Sequence, residues 1–268
     1  MRQARALDDV PEQLWRLVSL ATRRLLMLDF DGTLAPFTVA RDNARPLPRS
    51  VELLERIVRA KRTEVAIVSG RPVPEIERLL GPLPALLVGE HGWERREPGG
   101  ALVQHPLPPV AAAALDEAER RAREAGWDDL IERKRPAVVL HTRALPAEAA
   151  REAEERCLAA WSRLVDAGEV RLDRIDRGVE LRARAHDKGE VVRWLMGRAP
   201  AGTLGVFVGD DVTDEDAFEA VRGLGFGVRV GEPGRTTLAM GLLPSVEAVA
   251  DFLAEWLAVS GVSTEAAK

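Results

Sequence analysis

Two aspartates, Asp29 and Asp31, directly follow the apolar run of residues 26–28 and form the residue pair best suited to chemistry. Such a run predicts a buried strand of a parallel sheet, and ligands of these sheets lie beyond the carboxyl ends of the strands. Two carboxylates this close repel each other unless a cation lies between them, and oxygen ligands suit Mg²⁺. The pair therefore predicts a metal-assisted site with one aspartate free to act as nucleophile, although Asp-x-Asp-Gly also forms simple turns.

Two further apolar runs end in polar clusters. Residues 64–68 precede Ser69-Gly70-Arg71, and residues 204–208 precede a group of acids that includes Asp210, Asp211 and Asp214. If the three strands are parallel neighbours, one sheet edge gathers a hydroxyl, several carboxylates and backbone N–H groups. With a positive charge from Lys188, at the start of another helical stretch, this edge is predicted to bind a phosphate and a divalent cation together.

The remaining pattern indicates a sheet core interrupted by an insertion. The core is predicted to comprise residues 1–105 and 184–268, and the insertion residues 106–183. The insertion is predicted to run α-β-α-β-β, with helices over 111–125 and 147–165 and strands over 137–143, 170–172 and 178–181. In the core, Ser50 is the predicted N-cap of a helix over residues 51–61.

Taken in order, these clusters resemble the four motifs of the haloacid dehalogenase superfamily. Longer strings are similar to those of its trehalose-6-phosphate phosphatase branch, over roughly residues 22–255: Gly89-Glu90-His91-Gly92, Glu132-Arg133-Lys134, His141-Thr142-Arg143 and residues 209–218. The resemblance implies an α/β protein with a Rossmann-like parallel-sheet core and an inserted α+β cap domain for substrate specificity. It also implies a Mg²⁺-dependent phosphatase that converts trehalose 6-phosphate to trehalose through an aspartyl-phosphate.

The resemblance also assigns catalytic roles. Asp29 is the expected nucleophile, and Asp31 the expected general acid and base. Ser69 and Lys188 are expected to neutralise the phosphoryl oxygens as charge spreads over them. From the residues alone, Ser69 as a helix N-cap and Lys188 as a solvated surface lysine remain open alternatives.

The metal ligands implied by the resemblance are Asp29, the backbone carbonyl of Asp31, and Asp210. Asp211 and Asp214 are expected either to ligate through water or to hold Asp210 and the catalytic lysine in place. An acidic helix start that complements the helix dipole is the alternative interpretation of the last three acids.

Six residues are expected to contact the substrate: Gly70, Arg71, His91, Glu132, Lys134 and Glu180. Glu132 and Lys134 face one side if they share a strand, and the resemblance places both, with Glu180, against the distal glucose. Arg71 is equally well explained as a salt-bridge partner, and His91 as the brace of a turn. Glu180 either pairs with Arg182 or points into the cleft.

His141 and Arg143 alternate in the same way and are expected to border the same pocket. Three features depart from the family pattern: Thr142 stands where an aromatic residue is frequent, Asp187 where Asn or a similar residue is frequent, and the proline usual soon after the Glu180 segment is absent from residues 182–186. These departures leave the phosphate chemistry intact and weaken the assignment of the exact disaccharide.

Composition limits the partners. The net charge of −5 and the absence of a basic tract argue against nucleic acid and acidic membranes as partners. The single cysteine, Cys157, excludes an internal disulfide, favours a cytoplasmic location and is expected to be buried. A small sugar phosphate is the expected partner, with functional coupling to a trehalose-phosphate synthase.

Three alternative functions remain open. The first is a phosphatase for a related sugar, such as sucrose 6-phosphate or a glycosylglycerate phosphate. The second is a catalytically silent sugar-phosphate-binding partner of a synthase, against which the intact Asp29/Asp31 pair argues. The third is a phosphotransferase of the same fold, although the chain has no Gly-x-x-x-x-Gly-Lys-Ser loop.

Overall fold

The computed structural model describes residues 10–38, 43–175 and 177–261. Its helices are α1 (Glu12–Leu20), α2 (Pro48–Arg59), α3 (Val73–Leu80), α4 (Pro109–Glu124), α5 (Ala147–Trp161), α6 (Lys188–Arg198), α7 (Glu215–Val221) and α8 (Val246–Val259). Its strands are β1 (Arg24–Leu28), β2 (Thr63–Val68), β3 (Leu86–Gly89), β4 (Glu94–Arg96), β5 (Val103–Gln104), β6 (Ile131–Lys134), β7 (Ala137–His141), β8 (Val170–Ile175), β9 (Gly178–Ala183), β10 (Leu204–Gly209), β11 (Gly225–Val230) and β12 (Gly241–Leu243). Within the described ranges, no helix is long and apolar enough to cross a bilayer.

The chain divides into two compact units. One comprises Met1–Val103 and Asp187–Lys268, and the other comprises Gln104–His186. The second unit is therefore a contiguous segment inserted into the first, which is the α/β core with an inserted α+β unit that the sequence predicts. Its observed limits extend two to three residues beyond the predicted 106–183 at each end.

The first unit is built on a mostly parallel sheet with the strand order β12-β11-β10-β1-β2-β3-β4-β5. Strand β1 is buried along its whole length, and its side chains alternate between two apolar layers. Leu26 and Leu28 pack in the layer that contains residues of α2, α3 and α8. Leu25 and Met27 pack in the layer that contains residues of α6 and α7. Burial on both faces explains why this strand is an unbroken apolar run.

The order of the strands creates a switch point beside β1. From β1 the chain proceeds to β2 and β3 on one side, and after the insertion it continues to β10, β11 and β12 on the other. Strands β1 and β10 are parallel neighbours in which Leu28 pairs with Val208. Because the strand order reverses here, the crevice beyond the ends of β1 and β10 is the expected ligand position in a sheet of this type.

The second unit contains an antiparallel sheet with the order β6-β7-β9-β8, on which α4 and α5 pack. Val138, Leu140, Val179 and Leu181 are fully buried and lie on one face of the sheet. The predicted order α-β-α-β-β was wrong because it omitted β6, so the unit runs α-β-β-α-β-β. Strand β6 consists mainly of charged residues and lacks the apolar run that predicts a strand. Strand β7 ends at His141, two residues before the predicted limit.

The predicted start of α2 was also wrong. Helix α2 begins at Pro48 with Leu47 as N-cap, and Ser50 is buried inside its first turn. Proline at the first helical position has the required φ and lacks an N–H that would need a partner. The preference for proline at the first helical position therefore set the start of α2 at Pro48, two residues before the serine that was predicted as the N-cap.

Candidate active site

Asp29 lies at the centre of a buried carboxylate cluster beyond the end of β1. Its backbone N–H donates to the carbonyl of Val208 at 2.9 Å, which fixes it against β10. Carboxylate oxygens of Asp29, Asp210 and Asp214 all lie within 4.8 Å of one another. The structure thus brings together acids from the two strand ends that flank the switch point.

Lys188 supplies the positive charge of this cluster from the first residue of α6. Its Nζ donates to Oδ1 of Asp29 at 2.7 Å and to Oδ1 of Asp214 at 2.6 Å. The side chain is 3% exposed, so Lys188 is not a solvated surface lysine. Asp187 accepts from the N–H of Glu190 and caps the helix that positions this lysine.

Asp214 organises the loop after β10. Its Oδ2 accepts from the N–H groups of Asp210 and Asp211, each at 2.9 Å, while its other oxygen binds Lys188. Asp211 caps the short helix Val212–Asp214 and forms a capping box with Asp214. The acidic residues at the start of this short helix therefore also belong to the charge cluster. Asp214 takes part in both, because it completes the capping box and binds Lys188.

Burial and the neighbouring negative charges raise the pKa of Asp29 and of Asp210. Burial raises the pKa of Asp29 to about 7, because it outweighs the opposing charge of Lys188. Burial, and then the charges of Asp29 and Asp214, raise the pKa of Asp210 well above its usual value. Burial also acts against the charged form of Lys188, but the charges of Asp214 and Asp29 outweigh it and raise the pKa of the lysine.

This charge balance fits a divalent cation. When all three carboxylates are ionised they face one ammonium and carry an excess of two negative charges, which a bound divalent cation would neutralise. Carboxylate oxygens are the ligands that hard cations such as Mg²⁺ prefer. Among the described residues, the side chains of Asp29, Asp210 and Asp214 form a group that could hold such an ion.

The loop after β1 closes against Asp210. Gly32 has φ +76°, and a Cβ on this residue would lie 2.3 Å from Oδ2 of Asp210. The Oγ1 of Thr33 lies 3.5 Å from Oδ1 of Asp210. A glycine is therefore required at position 32 both by its backbone conformation and by the closeness of the carboxylate.

Arg71 binds Asp31 and does not lie free to meet a substrate. Its Nε and Nη2 donate to the two carboxylate oxygens of Asp31, each at 2.6 Å. The guanidinium also donates to Glu75 and lies 5.5 Å from the ring centroid of Phe30. With its side chain only 1% exposed, Arg71 is the fixed member of the pair, and Asp31, at 27%, the more accessible one. The structure shows Arg71 in a partly buried salt bridge, and its contact with a substrate stays a prediction.

The carboxylate of Asp31 is accordingly paired with Arg71, and the clustered acids described above do not include it. The backbone carbonyl of Asp31 as a metal ligand stays a prediction. Although Asp29 and Asp31 are only two residues apart, Asp29 is bound by Lys188 and Asp31 by Arg71.

Ser69 and Gly70 lie in the loop after β2, and His91, which follows β3, packs against them. The Oγ of Ser69 accepts from the N–H of Arg71 at 3.2 Å, and no helix begins at this serine because α3 is capped at Pro72. His91 donates its N–H to the carbonyl of Ser69 at 2.9 Å. A Cβ on Gly70 would lie 2.6 Å from Nε2 of His91, so the glycine allows the imidazole to approach the Ser69 loop.

His91 adopts a left-handed backbone conformation, which is uncommon for residues other than glycine. Glu90 and His91 have φ of +49° and +58°, and both are buried. Left-handed conformations in non-glycine residues cost energy and are concentrated at functional sites. This strain favours a role for His91 beyond the bracing of a turn.

The remaining predicted substrate residues lie in the second unit. Nζ of Lys134 lies 3.9 Å from Oε1 of Glu180, and Nε2 of His141 lies 2.8 Å from Oε2 of Glu132. Nε of Arg182 lies 3.8 Å from Oε2 of Glu180, so this carboxylate is flanked by two cations. Arg143 lies beyond the end of β7, and the strand alternation that placed it beside His141 does not apply to it.

Two side chains near the acids were missed by the sequence reasoning. Glu75 holds Arg71 from one turn further along the chain, and an i,i+4 Arg–Glu pair was a usable signal. Nη1 of Arg235 donates to the backbone carbonyl of Asp210 at 3.1 Å. An exposed loop arginine offers no sequence pattern that would have found this contact.

The sequence of this chain is similar to a family model and to sequences of trehalose-phosphate phosphatases. The trehalose-phosphatase family model matches residues 27–232. A probable trehalose-phosphate phosphatase of Sinorhizobium fredii is 32% identical over 232 residues, which cover 85% of this chain and 86% of the relative. A trehalose-phosphate phosphatase of Mycobacterium marinum is 33% identical over 264 residues, which cover 94% of this chain. That match spans 66% of the length of the relative.

The fold is shared with a solved structure of the same kind. The C-terminal domain of a trehalose-6-phosphate phosphatase from C. albicans has a TM-score of 0.79 to this chain at 22% identity. The similarity covers 98% of this chain and 99% of that chain. With the family match, the sequence relatives and the carboxylate cluster in agreement, the chain belongs to the trehalose-phosphatase family of the haloacid dehalogenase superfamily.

Proposed function

We propose that this protein hydrolyses trehalose 6-phosphate to trehalose and phosphate, with Asp29 as the nucleophile and Mg²⁺ as the cofactor. The observation that carries the proposal is the buried group of Asp29, Asp210, Asp214 and Lys188 at the switch point of the sheet. Family membership supplies the substrate, and the excess negative charge of the group supports a divalent cation.

The first step forms an aspartyl-phosphate. An oxygen of Asp29 attacks phosphorus, and the bond between phosphorus and the sugar oxygen breaks. Asp31, on the same loop and with an accessible side chain, is the proposed proton donor to the departing sugar oxygen, and to act so it must carry a proton and separate from Arg71. Lys188 lies within hydrogen-bond distance of Asp29, close enough to hold the carboxylate in place and to offset charge on the phosphoryl oxygens.

The second step regenerates the enzyme. Asp31, deprotonated after the first step, takes a proton from water as that water attacks phosphorus, and the bond from phosphorus to Asp29 breaks. Ser69 contributes its hydroxyl near the phosphoryl group, and His91 is held against the same loop. Mg²⁺ bound by the clustered carboxylates would lower the repulsion between Asp29 and the incoming phosphate.

Substrate choice is proposed to lie in the second unit, which would serve as the cap predicted for residues 106–183. Glu132, Lys134 and Glu180 lie on one face of its sheet and provide hydrogen-bond acceptors and donors for sugar hydroxyls. The substrate is itself the product of a glycosyl-transferring synthase, so coupling to such an enzyme is part of the proposal.

The test is Mg²⁺-dependent phosphate release from a panel of sugar phosphates by the wild type and by Asp29→Asn. Asp251→Asn is the matched control, because Asp251 is a half-exposed acid on α8 paired with Arg49. We expect a strong preference for trehalose 6-phosphate, abolished in Asp29→Asn and unchanged in Asp251→Asn. A preference for another sugar phosphate would retain the mechanism and replace the substrate. No release from any substrate would support the silent binding partner.

The cap assignment is tested separately with Glu132→Ala/Glu180→Ala. We expect this variant to lose its preference among sugar phosphates while it still hydrolyses p-nitrophenyl phosphate. An unchanged preference would show that these residues do not select the sugar.

A further inference from the structure

The sheet of the second unit pairs like charges directly opposite each other. Between β8 and β9, Asp173 lies opposite Glu180, and Arg171 lies opposite Arg182. Like charges in direct cross-strand register are destabilising. Exchange of Arg171 and Asp173 would place each acid opposite an arginine, so the observed order is not the one that stability alone favours.

The pairing has the effect of aligning acids across the sheet. The register of the four strands places Glu132, Val139, Glu180 and Asp173 in one row. The row crosses three strand spacings, or about 14 Å. Since side chains in one row point to the same face, the three carboxylates form a line on the face opposite the apolar side chains that pack against the helices.

A parallel row of cations lies two residues away. Its cations are Lys134, Arg182 and Arg171, and Ala137 occupies the position on β7 between the first two. Nε of Arg182 lies 3.5 Å from Oδ2 of Asp173 and 3.8 Å from Oε2 of Glu180, and Nε of Arg171 lies 2.7 Å from Oδ2 of Asp173. Arg182 is 2% exposed, so it is a fixed group between the two acids. The diagonal contacts offset part of the cost of the like-charge pairs and hold the acids in line.

Asp173 retains some access to solvent, with a side chain that is 20% exposed. A carboxylate only accepts hydrogen bonds, and its natural partners on a sugar are hydroxyl groups. A line of three such groups is longer than one hexose needs and suits the hydroxyls of two joined rings. Violations of local stability rules in natural proteins are expected at functional sites.

We propose that Asp173 is a further specificity-determining residue, which accepts hydrogen bonds from sugar hydroxyls in line with Glu132 and Glu180, and that Arg182 is the positioning residue of this line. The inference rests on the proposed function, because it concerns the sugar portion of the same substrate. It adds β8 to the strands β6 and β9 that carry the other sugar contacts.

The test measures KM and kcat of Asp173→Ala and Asp173→Asn with trehalose 6-phosphate and with p-nitrophenyl phosphate, which has no sugar. We expect Asp173→Ala to raise KM for the sugar phosphate at least tenfold, since hydrogen bonds to charged groups contribute that much. Asp173→Asn, which keeps an acceptor oxygen, should show a smaller rise. Kinetics with p-nitrophenyl phosphate should not change, which also shows that the variants fold.

Asp116→Ala is the control, because Asp116 is an exposed acid of α4 that pairs with Arg133. Its KM for both substrates should equal that of the wild type. An unchanged KM in Asp173→Ala, or an equal loss with both substrates, would overturn the inference. If the wild type prefers another sugar phosphate, the proposed substrate fails and the same comparison is made with the preferred one, so the two failures remain distinct.

Discussion

Substitution of Gly32 by alanine tests whether the loop after β1 sets the position of Asp210. The new Cβ would lie 2.3 Å from Oδ2 of Asp210, whereas ordinary contacts begin at about 3.4 Å. The carboxylate would therefore have to move by about 1 Å. A displacement of that size at a catalytic group costs roughly 100-fold in rate, or about 2.7 kcal/mol of transition-state stabilisation.

Backbone strain is a separate effect, and Gly202→Ala measures it. Gly202 has φ +80°, close to the +76° of Gly32, and a Cβ there would meet no atom within 4 Å. Each substitution is expected to lower stability by about 1–2 kcal/mol because of the left-handed backbone. Only Gly32→Ala is expected to lower phosphatase activity and to weaken the affinity for Mg²⁺.

The assay combines kcat/KM for trehalose 6-phosphate, activity as a function of Mg²⁺ concentration, and thermal unfolding of both variants. Both variants are expected to lose thermal stability, and only Gly32→Ala is expected to lose activity. This expectation would be refuted if Gly32→Ala were as active as Gly202→Ala, because Asp210 would then not depend on the close approach of the loop.

Three further outcomes follow from the buried charges and the thiol. Arg71→Met should lower kcat about 100-fold for the sugar phosphate and much less for p-nitrophenyl phosphate, whose leaving group needs no proton; equal losses would show that Arg71 does not act through Asp31. Lys188→Met should destabilise the metal-free protein to urea by about 3–5 kcal/mol, since it leaves buried carboxylates without their cation; an unchanged unfolding midpoint would contradict this. Burial, assisted by Glu154, raises the pKa of Cys157 to about 12 from 9.0, so iodoacetamide at pH 8 should modify it only after unfolding. Because the thiol ionises at a lower pH in the unfolded chain than in the folded one, Cys157 should also make the folded state less stable as the pH rises from 9 to 12. Rapid modification of Cys157 in the native protein would refute its burial.

The strands that end at the acids were predictable from the sequence for a physical reason. Strands β1, β2 and β10 are buried on both faces, so they appear as apolar runs that stop where the polar cluster begins. The carboxyl ends of parallel neighbours share an edge, so Asp29 and Asp210 were expected to meet if β1 and β10 are parallel neighbours, which the structure shows them to be. The observed cluster follows from local pattern and topology.

The contacts that were missed depend on distances that the sequence does not encode locally. The pair Arg71–Asp31 joins residues 40 positions apart through two loops, and sequence reasoning could not choose between a substrate and a carboxylate as the partner of Arg71. Strand β6 was missed because Glu132-Arg133-Lys134 has no apolar alternation. Its pairing with the apolar β7, through contacts such as Glu132 with Val139, is what makes it a strand.

The strand order also determines when β1, the strand that precedes Asp29, acquires both of its neighbours during synthesis. Met27 pairs with Ala66 on one side and with Phe207 on the other, about 180 residues later in the chain. At ribosomal rates of roughly 5–20 residues per second, β1 therefore waits about 10–40 seconds for its second neighbour. During that interval an apolar strand edge is open to pairing with other chains. The inserted unit is contiguous in sequence and can fold within this interval, before the C-terminal strands reach β1.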